Sequence, residues 1–593
     1  VVQEDAEMDN GFLIKGGVVI DGTGAPAFGA DVRIRDGVIA EIGQSLSREG
    51  RERVIDASGC YVTPGFIEGH NHFDGPMWWT PSLEPMSGYG VTTSINGNCG
   101  FTAAPVHEEP ALRDEMVRIF SFFEDIPEKP FLKLLPWDWK TWSEYRASLE
   151  RNVKLPVNFA SFAGHIAIRF AAMGGDAWER TATPAEIAKM CALLEDAIGA
   201  GALGMSSNLL DFDENGRPIP TRLADVAEWS ALMDVIARHD GAVMQVIVDY
   251  LGRMDAPQTI ELLATAARGK NIRIQVAGAV PTAQFQAPMI PGAIETFERL
   301  RAEGIDIWSG YTHSPITAVA NFNSSLLFSQ CNNYMWGEII AAEGTAAKYA
   351  LLNDPAWRER ARKGWAETYD QAPIKHPDQI ELFESESGAG PLGITLQDYM
   401  DRTGADHPSD ALAEWVLENG PASILRLKPL PRHDETLARM FREPNAVGNL
   451  SDSGAHGQMF CGIGYNIQLL TEFARDRKLI SVEEAVHIIT GQPARHFNLR
   501  DRGVIEVGKA ADVVVFNLAE IQMRPEKKRW DVPDGEGGLT YRWIRDPAPM
   551  RLTLVNGVPT FENGDFTGRF PGRYVAPIGE PQAAVVVPEP AYA

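Results

Sequence analysis

The chain has 593 residues, 44% hydrophobic and 23% charged, a balance ordinary for globular proteins and contrary to wholesale disorder. Its 54 Lys and Arg against 80 Asp and Glu leave a net charge of −26, which argues against a nucleic-acid partner or an anionic membrane surface, since both need a basic patch. Five cysteines (Cys60, Cys99, Cys191, Cys331, Cys461) are too sparse for a disulfide framework, and no apolar run reaches the ~18 residues of a membrane span.

In chain order, the opening VVQEDAEMDN has neither a basic region nor an apolar core. We therefore expect no signal peptide and a cytoplasmic protein, with a homo-oligomer left open. FLIKGGVVIDGTG, DVRIRDGVIAEIG and RVIDASGCYVTPG alternate apolar and polar residues between Gly and Asp turns, which predicts short strands across 1–64. The pattern returns in GVIEVGKAADVVVFNL and MRLTLVNGVPTFENGDFTG. Neither end has enough strands to bury a core, so 1–64 and 501–580 are expected to join into one small β domain. Residues 581–593 read as a Pro- and Ala-rich tail.

Between them, over 65–500, short apolar runs alternate with amphipathic segments. FIEGH, GVTTSI, VNFASFAG, GALGMS, AVMQVIV, IRIQVAG, IDIWSG and AVGNLSD are eight candidate strands. TPAEIAKMCALLEDAIGAG, RLADVAEWSALMDVIARHD, APQTIELLATAARGK and PGAIETFERLRAEG carry helical periodicity. Eight strand–helix units predict an α/β fold, a parallel sheet closed as a TIM-type (β/α)8 barrel. Insertions near 101–150 and 315–445 interrupt it; each either shapes a substrate pocket or forms a structural subdomain.

Three segments carry chemistry. PGFIEGHNHFDG places His70 and His72 two apart at a strand end, where both imidazoles face one side and can bind zinc. GVTTSINGNCG puts Cys99 in a Gly- and Asn-rich turn past strand two, as a metal ligand, a nucleophile or a small buried filler. GNLSDSGAHG puts Asp452 at the end of strand eight, with His456 behind it; a carboxylate there is a candidate general base, although Asp in such a turn is commonly a turn former.

In this order, and followed by AVHIITGQPARHFNLRDRGVIEVGKAADVVVFN, these segments resemble the amidohydrolase superfamily. The cysteine on strand two and the closing VNGVPTFENGDFTGRFPGR are similar to the D-aminoacylase branch, the N-acyl-D-amino-acid deacylases. The resemblance implies the same barrel with a β domain built from both termini. It implies His70, His72 and Cys99 as metal ligands and Asp452 as the catalytic aspartate. His165 and Arg169, in GHIAIR, match a weaker motif and are expected on the substrate.

The pattern breaks on strands five to seven. The family's metal-binding histidines after strands five and six are absent from GAVMQVIVD and IRIQVAGAV, and its substrate-gripping Lys is missing. SGYTHSP stands where the family has a Tyr-Pro-Tyr segment. Three readings follow. One zinc ion sits on His70, His72, Cys99 and Asp452, the preferred reading; replacement ligands come from Gln245, Asp249, Gln275 or His313; or hydrolysis is lost and the chain only binds. A metal is favoured because zinc brings the pKa of water from 15.7 to about 7, which a carboxylate alone cannot do.

Tyr311 and His313, near strand seven, are further substrate-binding candidates, and Trp78 and Trp79 are expected to wall the pocket. Arg222 reads as a structural ion pair, and DFDE (Asp211 to Glu214) as a solvated loop. The expected activity is zinc-dependent hydrolysis of a small-molecule amide, N-acyl amino acid-like or bulkier and aromatic. A cyclic amide, ester or lactone, a cysteine nucleophile and a silent binding protein are the alternatives.

Overall fold

The computed structural model describes residues 11–249, 256–279, 290–315, 317–370, 372–428 and 432–577; the expected tail at 581–593 lies outside them. All eight apolar runs become strands: β1 (Phe66–Glu68), β2 (Val91–Asn96), β3 (Asn158–Ser161), β4 (Gly204–Asn208), β5 (Val243–Ile247), β6 (Arg273–Ala279), β7 (Asp306–Tyr311) and β8 (Ala446–Val447). They form two parallel arcs. β1, β2 and β3 pair in that order. Ala163–Gly164, just past β3, opens the second arc, which runs through β4, β5, β6, β7 and β8. The arcs meet at both edges. Phe162 N donates to Asn96 O at 3.0 Å, and Asn71, past β1, bridges to Ser453, past β8. Every residue of β2, β3 and β4 is buried, which explains why these strands read as unbroken runs rather than as alternation: both faces are covered.

Four helices lie where their periodicity predicts, α3 (Pro184–Gly199), α4 (Val226–Ala237), α5 (Ala256–Ala267) and α6 (Ile290–Ala302); α1 (Pro110–Glu124), in the first insertion, and α2 (His165–Met173) are further helices. α3 starts sharply because Thr183 and Glu186 form a reciprocal capping box and Pro184 opens the first turn, where its missing N–H costs nothing.

The two insertions differ. Residues 101–150 merge with the main core through Phe120, Phe131, Trp139 and Trp142. The second insertion has a core of its own, including Phe322, Phe328, Trp336, Trp357 and Trp415, against a four-stranded sheet.

Strands from both chain ends share one sheet, with Tyr61–Pro64 antiparallel to Val513–Phe516 at the junction. The hairpin β9 (Glu526–Pro533) and β10 (Leu539–Arg545), expected within the C-terminal part of that domain, instead leaves it as a separate two-stranded ribbon. It is held against the loop after β8. Trp543 N donates to Gly457 O at 2.7 Å, Gln458 Nε2 donates to Thr540 Oγ1 at 2.8 Å, and the Arg545 guanidinium donates to the carbonyls of Cys461 and Ile463. Among the described residues, no helix is long and apolar enough to cross a membrane.

Candidate metal centre

His70 and His72 follow β1 directly. Asn71 between them faces the other way, donating to Ser94 Oγ at 2.9 Å and accepting from Ser451 Oγ at 3.1 Å. The loop after β8 is stitched to the same segment: Asp452 N donates to His70 O, and His72 N to Ser453 O. This close approach requires Gly454, whose φ is +92° and where an added Cβ would stand 2.7 Å from the His72 carbonyl carbon. Cys99, Asp452 and His456 have φ of +54°, +57° and +53°, a left-handed conformation that non-glycine residues adopt at a cost and that recurs at functional sites.

The side chains converge. His70 Nε2 lies 3.2 Å from Cys99 Sγ and 3.6 Å from Asp452 Oδ1, and His72 Nε2 lies 3.2 Å from the same oxygen. His72 is fully buried, and among the described residues neither of its ring nitrogens has a hydrogen-bond partner. Four donors of a tetrahedral zinc site, at the usual bond lengths, stand about 3.3–3.6 Å apart. Two triads bring ligand atoms within 4.8 Å of one another, His70 with His72 and Cys99, and His72 with Glu124 and Asp452, so the residues present fit a divalent ion.

The electrostatics agree. Burial pushes Glu124 well above the usual carboxylate range, and the nearby charges of Asp452, Asp211 and Asp74 push it further. Asp74 is raised to about 7, also by burial. Burial acts in the same direction on Asp452, but the imidazoles of His456 and His72 outweigh it and hold that carboxyl well below its ordinary value. Burial lowers His70 to about 4, leaving the neutral imidazole that a metal binds. A buried pocket of carboxylates is costly unless a cation neutralises it.

The candidates on strands five and six have other duties. Gln245 Oε1 accepts the Cys99 amide at 3.0 Å and so shapes the cysteine turn, while Gln275 Oε1 meets His496 Nε2 at 3.1 Å. Asp249 is fully buried at the end of this region. His313 Nε2 meets the Tyr465 carbonyl at 2.9 Å and packs on Phe473; Tyr311 is buried against Phe441.

His165 and Arg169, expected on the substrate, are fully buried. His165 Nδ1 meets Ser207 Oγ and Nε2 meets Glu228 Oε1, both at 2.8 Å, while Arg169 pairs with Glu228 and donates to Arg180 O. Their polar ends are turned to protein, which is the arrangement of a structural network. The DFDE segment is not a solvated loop: Asp211 and Asp213 are each 2% exposed, held by Asn208 and Arg217. Arg222 donates to Leu210 O at 2.9 Å and lies over the Phe212 ring.

Sequence reasoning missed Glu124. It ends α1 and reaches the cluster, 3.6 Å from His72 Nε2 and 3.7 Å from His456 Nε2. The only signal was an acidic residue in an otherwise aromatic insertion. The β9–β10 hairpin was also missed. A cleft beside the cluster is walled by Phe73, Trp79 and Leu83 on one side and by Phe460, Tyr541 and Trp543 on the other. Trp79 therefore stands where the sequence suggested, whereas Trp78 stacks on Trp139.

Comparison with known proteins matches this architecture. An uncharacterized protein of Mycobacterium tuberculosis is 28% identical over 597 residues, covering 95% of this chain and 93% of its own. The N-acyl-D-aspartate deacylase of Alcaligenes xylosoxydans xylosoxydans is 27% identical over 530 residues, covering 87% and 88%. The crystal structure of N-acyl-D-glutamate deacylase from Bordetella bronchiseptica, complexed with zinc and a phosphonate mimic of the tetrahedral intermediate, superposes with a TM-score of 0.64 at 24% identity. It covers 96% of this chain and 100% of its own. The model of the Amidohydrolase family matches residues 53–561, from the strand at Arg53–Asp56 to the strand at Val558–Glu562. The chain belongs to the amidohydrolase family.

Proposed function

We propose that this protein is a metal-dependent hydrolase of an amide C–N bond in a small molecule. The observation that carries this is the convergence of two buried imidazoles, a thiol and a carboxylate at donor–donor distances of 3.2–3.6 Å. We infer that the two parallel arcs form one closed (β/α)8 barrel over 65–500, with 1–64 and 501–580 contributing the β domain. His70, His72, Cys99 and Asp452 would hold one zinc ion. When bound, the ion acidifies water and polarises the scissile carbonyl.

The chain's own residues do the rest. Asp452, whose side chain is 33% exposed, accepts the proton of the attacking water at one carboxylate oxygen and delivers it to the leaving amine. His456, 3.5 Å from Asp452 Oδ2, steadies that carboxylate in its ionised form. Phe73, Trp79 and Trp543 exclude water and take the apolar part of the substrate. Arg542, which also lines the cleft, is engaged by Asp531 through two hydrogen bonds of 2.9 Å and donates to Glu84 O, so it does not grip a substrate carboxylate.

The substrate that suits this cleft is an amide with a bulky apolar or aromatic group, not a simple N-acyl-D-amino acid. A panel of N-acyl amino acids set against larger aromatic amides tests this. Higher kcat/KM on the aromatic amides is expected, and preference for simple N-acyl-D-amino acids would overturn it.

A further inference from the structure

α1 delivers Glu124 into the donor cluster from the first insertion. The residue is 4% exposed, and its helix is anchored by Phe120, which stacks on Phe101 and meets Phe131 and the His72 ring edge-on. Glu124 Oε1 stands 3.6 Å from His72 Nε2, and Glu124 Oε2 stands 3.7 Å from His456 Nε2. Neither distance is a hydrogen bond. A buried imidazole and carboxylate free to bond each other would close to about 2.7–2.9 Å. Two atoms each about 2.0–2.2 Å from one tetrahedral metal stand about 3.3–3.6 Å apart.

His72 sharpens the point. Fully buried, with no hydrogen-bond partner at either nitrogen among the described residues, it lies 3.6 Å from Glu124 Oε1 and 3.2 Å from Asp452 Oδ1. One donor atom from each of these three residues lies within 4.8 Å of the other two.

We propose that Glu124 is a metal ligand of this chain, sharing the ion with His72 and Asp452. Gln245 and Gln275 stand on β5 and β6 in register with each other, and their carbonyl oxygens are engaged by the Cys99 amide and by His496. A carboxylate from the insertion helix takes the place of imidazole from the strands. It brings a negative charge and an oxygen donor, which widens the set of divalent first-row ions the centre accepts toward manganese. His456, 3.5 Å from Asp452 and 3.7 Å from Glu124, lies behind both carboxylates and orients them. The first insertion is thereby part of the metal centre.

This inference rests on the metal-dependent reading above, and its test separates the two. Wild type, Glu124→Gln and Glu124→Asp are stripped by a chelator, checked for fold by circular dichroism and titrated with cobalt(II). Bound metal is measured together with the visible absorption of the ion. Wild type is expected to bind cobalt, with Glu124→Gln weakening it about 10- to 100-fold and changing the absorption bands. Glu124→Asp keeps the charge but withdraws the oxygen by one methylene, so it too should change the bands, and it serves if the Gln variant does not fold. Wild-type affinity and an unchanged spectrum in a folded variant would overturn the role of Glu124 and leave the metal reading intact. No cobalt bound by wild type would overturn both.

Discussion

Two buried polar clusters in this molecule are made of the same residue types and behave oppositely. At the ends of β1 and β8, His70 and His72 face carboxylates and a thiol at 3.2–3.6 Å, and both nitrogens of His72 lack a hydrogen-bond partner among the described residues. Behind β3 and β4, His165 has both nitrogens engaged at 2.8 Å, and Arg169 and Glu228 are clasped together. The first cluster is held in place by backbone geometry, through Gly454 and three left-handed residues, and leaves both His72 nitrogens without a hydrogen-bond partner among the described residues. The second is closed on itself and fixes α2 against α4. Burial and residue type do not separate a ligand site from a structural network; satisfaction of the donors does.

Breaking the first cluster should have the largest effect. The double variant His70→Ala/His72→Ala should lose its metal, read by plasma mass spectrometry, and fall to background hydrolysis, because nothing else in the site acidifies water. Asp452→Asn should lower kcat by about 10²- to 10⁴-fold, the usual contribution of a positioned base, as measured on whichever amide the panel selects.

Breaking the second cluster should instead cost stability. Glu228→Ala leaves Arg169 buried without its partner, and denaturant unfolding should show a loss of about 3–5 kcal/mol with metal content per folded chain unchanged. Lost metal with unchanged stability would reverse the assignment of the two clusters.

A pH titration sharpens the contrast. Burial opposes ionisation of Glu228, but His165 and Arg169 outweigh it and its carboxyl lies below the ordinary range; burial likewise lowers His165. Both groups have folded values below their unfolded ones. Their stabilisation is therefore present above the unfolded values, ~6.5 for His165 and ~4.3 for Glu228, and is lost as pH falls through the folded ones. Unfolding midpoints measured between about pH 7 and 3 should decline toward acid in wild type and less steeply in Glu228→Gln. The smallest effect is expected at the cleft wall, where Trp543→Ala should raise KM for an aromatic amide by roughly threefold to tenfold, the worth of one aromatic contact.

Much of the site was legible because its parts are local. His70 and His72 are one strand period apart, Cys99 and Asp452 close two other strand ends, and β pleat alone turns such residues inward. Glu124 was not legible, because nothing in the sequence around an amphipathic, aromatic helix tells which neighbour its last turn will meet. The hairpin over the cleft was hidden for a similar reason. Glu526–Pro533 and Leu539–Arg545 look like any β ribbon, and only their hydrogen bonds to the loop at Gly457–Ile463 bring Trp543 to the site.

His165 and Arg169 went the other way. The GHIAIR motif suggested substrate contact, whereas Glu228, some sixty positions later, engages both side chains. The sequence by itself determined the strands and helices, the order of the parallel elements and the donors on β1, β2 and β8, because periodicity and strand-end position are short-range properties. Only the tertiary structure decided which buried charges found partners, since pairing depends on distances between residues far apart in the chain. That is why Glu228 closes one cluster and Glu124 is left facing the other.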